Sequence, residues 1–270
     1  MLAIALVVAA AALAVPAAAP PPNAPLPSGV APIAERLAAT TESLYTAVAI
    51  WRTSGTTRPS RELRLWALHQ QRLYLTLGLA QPQAGEAVVQ RLPRELHANA
   101  RDVLSARRAL VRLTPPTTRP LSAFRTGAAE RAERLLSYYR QAQRRFGVPW
   151  QVLAAVNFVE TAFGKVRSPS TAGAQGPMQF LPATWRAYGL AGNIYDPHDS
   201  ILGAANYLRA SGAPGNLRQA LYAYNHSKLY VEAVLAYARV MRRDLRAFYA
   251  FHAWQVFVRT PDGYRRITSP

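Results

Sequence analysis

The chain contains no cysteine. That absence excludes disulfides, a thiolate nucleophile, a cysteine-ligated zinc and a lipid-modified cysteine anchor. Acidic residues are scarce: 14 Asp and Glu stand against 32 Lys and Arg, a formal net charge of +18. Such an excess implies polyanionic surroundings, whether nucleic acid, anionic lipid or an acidic cell-wall polymer. Also missing is any single basic block with interleaved aromatics. The arginines are dispersed along helical stretches, as in Arg107, Arg108 and Arg112 or Arg239, Arg242 and Arg243. Dispersion argues against nucleic-acid recognition and for solvated helix faces, leaving an anionic wall polymer or a membrane surface as partners of the charge. There is no internal repeat. His69 and His97 stand alone rather than in the clusters that bind metal.

Long apolar runs are absent except at the start. Residues 1–19 form a short apolar stretch ending in Ala17-Ala18-Ala19, the pattern of a secretory signal peptide with a small-residue cleavage site. The run is short for a span of about 20 residues. Its basic flank is missing, so an uncleaved anchor is the alternative. Either way the chain is expected to be secreted or held in the cell envelope. Residues 20–32 are rich in proline and alanine and read as a semi-rigid spacer.

What remains is 50% hydrophobic and only 17% charged over the whole chain, the composition of a packed helical protein. A length of 270 residues exceeds a typical domain of roughly 100–200, which predicts one catalytic domain and an accessory segment. Helical periodicity predicts helices at 33–52, 61–77 and 85–113, an accessory helical segment (33–113) with no cluster that suggests chemistry. A proline-rich linker follows at 114–122. Residues 123–250 form the expected catalytic domain, with helices at 128–146, 149–163, 182–189, 197–210, 217–224 and 229–249. Pro149 suits a first turn, Gly164 a C-terminal cap, and Asp196 an N-cap before Pro197. In the tail, 251–270, aromatic and β-branched residues flank Asp262-Gly263, a hairpin signal. The predicted fold class is all-α with a short C-terminal β-hairpin.

Within the helix at 149–163, Glu160 follows Val152, Leu153, Ala154, Ala155, Val156, Phe158 and Val159. A helix apolar nearly all round is buried, and a carboxyl there must be paired or protonated. Burial raises a carboxyl pKa toward neutrality, which is what a general acid needs at physiological pH. A structural, internally satisfied acid is the alternative. No Lys or Arg on that helix is spaced to neutralise it, since Lys165 and Arg167 lie beyond the cap. The loop that follows is small and polar; Ser168, Ser170, Thr171, Gln175 and Gln179 offer groups suited to a sugar. Asp196 and Asp199 are better explained as helix-start residues, and Glu232 and Asp244 sit on a mostly solvated helix, so no second catalytic carboxylate is evident.

Three segments, Glu160-Thr161-Ala162-Phe163, then 172–182 (AGAQGPMQFLP), then Ala223-Tyr224-Asn225, resemble in order the motifs of the soluble lytic transglycosylase family. Asp196-Pro197 and the 203–208 segment (GAANYL) are similar to family features too. The resemblance covers roughly residues 135–243 and is closest in texture to secreted actinobacterial members. It implies a lysozyme-like helical domain that cleaves peptidoglycan glycan strands without metal or cofactor; a monomer is the separate expectation. Glu160 would be the catalytic acid and base. Met178 and Gln179 would line the glycan cleft with Gln175, Tyr224 would hydrogen-bond near the acid, and Asn225 would support the same wall. Family members commonly carry Ser after the acid; Thr161 keeps the hydroxyl and adds a methyl. The resemblance implies cleavage between N-acetylmuramic acid and N-acetylglucosamine to a 1,6-anhydro end. Its competitors are a goose-type lysozyme-like hydrolase and a binding module that holds glycan without cutting it.

Overall fold

The structure, a computed structural model, describes residues 18–267. All but the end of the stretch read as a signal peptide lies outside the described residues. Among those described, eleven α-helices are followed by one β-hairpin, and no helix is long and apolar enough to cross a membrane.

The first four helices are α1 (Val30–Thr53), α2 (Arg61–Leu79), α3 (Pro82–Arg91) and α4 (Arg94–Leu113). The side chain of Ser60 accepts from the Leu63 N–H at 3.1 Å and starts α2. The single helix predicted over 85–113 is two. Pro93 lacks the N–H that would continue α3 and instead becomes the N-cap of α4, while Pro82 opens α3 at its first turn.

After a 3-10 turn at Leu121–Ala123 come α5 (Ala132–Phe146), α6 (Trp150–Thr161), α7 (Pro182–Tyr188), α8 (Pro197–Ala210), α9 (Leu217–Tyr224), α10 (Lys228–Arg243) and α11 (Leu245–Ala253). Gly147, in the left-handed region at φ 74°, ends α5. Asp196 starts α8 as predicted, accepting from the Asp199 N–H at 3.0 Å. The helix predicted over 229–249 breaks at Asp244. Its extended backbone closes α10, and its carboxylate accepts from the Arg246 N–H at 2.9 Å to open α11. The hairpin pairs β1 (Phe257–Thr260) antiparallel with β2 (Gly263–Arg266), Thr260 opposite Gly263.

One contiguous hydrophobic core joins the first four helices to the rest. Helix α6 runs through it, buried from Val152 to Phe158. Phe158 packs on Phe251 at 5.3 Å and on Tyr237 at 4.8 Å between ring centroids. Each such pair adds about 0.5–1.5 kcal/mol beyond area burial. Trp254, just past α11, is 1% exposed and donates to Gln70 at 3.2 Å. Gln71 exchanges two bonds of 2.8 Å with the backbone of Gln255, so the chain after α11 is tied to α2. Helix α4 lies along α10: Asp102 pairs with Arg239 and Arg243, and Ser105 donates to Glu232 at 2.8 Å. The N-terminal helices thereby fix the helix that faces the site.

Candidate active site

Glu160 stands on the last turn of α6, where the helix leaves the core, and is half-buried. Burial raises its carboxyl from the ordinary 4.5 to about 7, and a hydrogen bond from Tyr230 opposes part of that rise. The Tyr230 hydroxyl donates to Glu160 Oε1 at 2.7 Å. Tyr230 sits in the first turn of α10, where Ser227 caps its N–H, and is 1% exposed. No other carboxylate contributes to the shift. Asp196 and Asp199 are occupied at the start of α8, where Asp199 accepts from the Asn193 N–H at 2.9 Å.

Tyr224, expected beside the acid, does not bond to it. Its hydroxyl donates to the Met178 carbonyl at 2.7 Å, and its ring lies parallel to that of Tyr230, with centroids 6.4 Å apart. Phe180 and Tyr207 flank the Tyr224 ring at 5.8 and 5.6 Å and hold it in place. The tyrosine that meets the acid is therefore one that sequence reasoning missed. A signal for it existed: Tyr230, Val234, Tyr237 and Met241 recur at helical spacing and are all buried.

Past Glu160 the backbone turns sharply. Ala162, Phe163 and Gly164 are all left-handed, with φ of 51°, 66° and 78°, and the cap is Ala162 rather than the predicted Gly164. Non-glycine residues in this region cost about 1–3 kcal/mol each and persist where the surroundings over-determine them. Here Thr161 does so. It is 1% exposed; its hydroxyl accepts from the Gly164 N–H at 2.8 Å and donates to the Pro177 carbonyl at 2.6 Å. Asn157 also donates to Pro177 O, at 2.7 Å, and accepts from Tyr139 at 2.6 Å. Thr161 thus has no surface from which to touch a glycan; it clamps the next loop to α6. Met178 is 0% exposed, so its thioether fills the core and does not line a cleft.

Gln175 and Phe180 exchange backbone bonds of 2.9 Å, closing a tight loop over 176–179. Gln179, at φ 50°, donates from Nε2 to the Gly176 carbonyl at 3.0 Å. Gln175 accepts from the exposed Tyr195 hydroxyl at 2.9 Å. Both glutamines are half-buried and reach the surface, as does Asn225 at the end of α9. Ser168 and Ser170, read as sugar-facing, accept instead from the backbone N–H groups of Arg125 and Ala174, at 2.7 and 3.0 Å.

The Tyr230 bond favours the ionised carboxyl, so Tyr230→Phe should raise the pKa of Glu160 above about 7. The alkaline limb of any activity that needs protonated Glu160 should move to higher pH, with turnover reduced by the loss of a charge-assisted bond worth about 1.5–3 kcal/mol. Tyr224→Phe should leave that limb in place. Paired pH-rate profiles check this: an unmoved limb in Tyr230→Phe would show that the contact does not tune the acid.

A family model described as the transglycosylase SLT domain matches residues 137–244. No solved structure matches the chain. The matched residues contain Glu160, the loop clamped by Thr161, and Tyr230, that is, the acid and everything found to position it. Residues 137–244 are therefore similar to the transglycosylase SLT domain, the lysozyme-like domain of lytic transglycosylases acting on peptidoglycan.

Proposed function

We propose that the protein is an exported lytic transglycosylase that cuts the β-1,4 bond between N-acetylmuramic acid and N-acetylglucosamine without water, with Glu160 as acid and then base. The reading is carried by one carboxyl, raised to about 7 by burial, bonded to Tyr230 and influenced by no second carboxylate. A two-carboxylate glycosidase sets its acids about 5–5.5 Å apart when retaining, where mutual repulsion perturbs the acid's pKa. With one acid, the substrate must supply the rest.

Protonated Glu160 gives its proton to the glycosidic oxygen. The C1–O bond breaks with its electron pair leaving on that oxygen, and the muramic acid's acetamido oxygen stabilises C1. Glu160, now a carboxylate, takes the proton of the same sugar's C6 hydroxyl as that oxygen bonds to C1, giving a 1,6-anhydro end. Gln175, Gln179 and Asn225 are the groups assigned to the glycan. Thr161, Met178 and Tyr224 act behind them by holding the loop.

The first step requires protonated Glu160. The kcat/KM for purified peptidoglycan should therefore fall about tenfold per pH unit above about 7. A profile flat to about pH 9 would overturn the acid's role. The net charge of +18 supports attraction to an anionic wall. Retention on isolated cell wall should weaken as salt rises, because exposed charges are screened over about 8 Å at physiological ionic strength. Retention unchanged at about 1 M salt, where screening acts within about 3 Å, would show that charge plays no part in targeting.

A further inference from the structure

A cavity of about 930 Å³ opens between the α1–α2 connection, the segment before α5 and the end of α11. Neither Glu160 nor Gln175, Gln179, Tyr224 or Tyr230 lines it. Its walls carry four arginines, Arg58, Arg64, Arg131 and Arg134, against one carboxylate, Glu130. That carboxylate is already engaged: Oε1 accepts from the Arg131 N–H at 2.8 Å, and Oε2 lies 3.6 Å from Arg134. The cavity therefore holds an uncompensated positive charge.

Two independent features add to it. Helix α5, 15 residues long, begins at the cavity with Arg131 as N-cap and no side-chain cap, so its positive end borders the same space. Lys165 is held at the cavity by donating to the carbonyls of His252, at 2.5 Å, and Trp254. Two of an ammonium's three N–H groups are thus used. Burial lowers this lysine to about 7, and a bound anion would restore its charge.

The remaining walls decide between anions. Ala128, Ala129, Ala253 and Val256 line the cavity with apolar surface. The volume is that of a pocket for a ligand of several groups, far more than a lone ion requires. Guanidinium forks match carboxylates and phosphates alike in two-bond geometry, so the apolar walls make the choice. Carboxylates spaced along a chain with amide and methyl groups fit such a mixture better than a run of phosphodiesters.

We propose that this cavity binds the carboxylate-bearing peptide stems of peptidoglycan, holding a strand by its peptides apart from the cleft in which Glu160 acts on its sugars. The choice of ligand rests on the proposed peptidoglycan activity; the anion preference of the cavity does not. Arg58 and Arg131 are exposed, so reversing their charge leaves the core untouched.

The test titrates a soluble stem peptide, released from peptidoglycan, into the full-length protein by calorimetry. Wild type should bind it, and Arg58→Glu/Arg131→Glu should bind about tenfold more weakly or worse. The same variant should cut peptide-stripped glycan strands at the wild-type rate. If charge reversal disturbs folding, Arg58→Gln/Arg131→Gln should show the same weakening. Equal binding by wild type and variants overturns the proposal, as does no binding by wild type. It is equally overturned if a glycerol-phosphate oligomer binds and the peptide fails to displace it. The titration does not depend on cleavage: if Glu160→Gln cuts like wild type, the assignment of the acid falls while the peptide result still decides the cavity.

Discussion

Glu160→Gln is expected to eliminate glycan cleavage while leaving the fold intact and, at alkaline pH, more stable than wild type. The amide keeps the shape of the carboxyl and can still accept from Tyr230, but it has no proton for the leaving oxygen. Loss of a general acid costs about 10²–10⁴-fold, and because this residue serves both steps the loss should reach the upper end. The stability change has a definite sign. The folded pKa of about 7 lies above the ordinary 4.5, so folding favours the protonated carboxyl. The associated stabilisation is full below 4.5 and lost as pH rises through 7. Above that, wild type holds a buried carboxylate that the variant does not. Melting temperatures should thus match at about pH 4 and favour the variant at about pH 8. Cleavage near the wild-type rate would remove Glu160 from the mechanism.

Gly176→Ala should cause the largest loss of stability among the single changes near the site. Gly176 has φ +73°, and a Cβ built there would lie 2.0 Å from the carbonyl oxygen of Ile194. The obstacle is backbone, so no side-chain rotation relieves it. Strain and displacement together should cost about 2–4 kcal/mol, lowering the melting temperature by roughly 5–15 °C. Activity should fall further than the folded fraction, because the same loop carries Gln179 and the Pro177 carbonyl that Thr161 and Asn157 hold. Gly173 provides the control. It has φ +80° with nothing within 4 Å of a built Cβ, so Gly173→Ala should show only the conformational cost of about 1 kcal/mol. Equal melting temperatures for the two variants would mean that the contact with Ile194 does not matter.

Much of this architecture is legible in the sequence because it is written in local chemistry. The cap at Asp196, the bounds of α8 and α9 and the burial of α6 follow from capping residues and apolar spacing. Two features were misread for the same reason: Pro93 and Asp244 interrupt stretches whose periodicity alone continues across them. At the site, the position and burial of Glu160 were readable, since most of its neighbours on α6 are apolar. The roles of Thr161, Met178 and Tyr224 were not. Whether a hydroxyl faces a cleft or the loop behind it depends on three consecutive left-handed residues after α6, which no spacing rule foresees. Tyr230 lies 70 positions from Glu160, and only the packing of α10 between α6 and α4 brings it to the carboxyl.

The central claim is that Glu160 acts alone and that the sugar supplies its own nucleophile. Mass spectrometry of purified peptidoglycan digested by the full-length protein tests it most directly. The account predicts strands ending in 1,6-anhydro-N-acetylmuramic acid, 18 Da lighter than hydrolysed ends by the mass of one water that is never added. Reducing ends in their place would contradict it, since water rather than the C6 hydroxyl would then have closed the reaction.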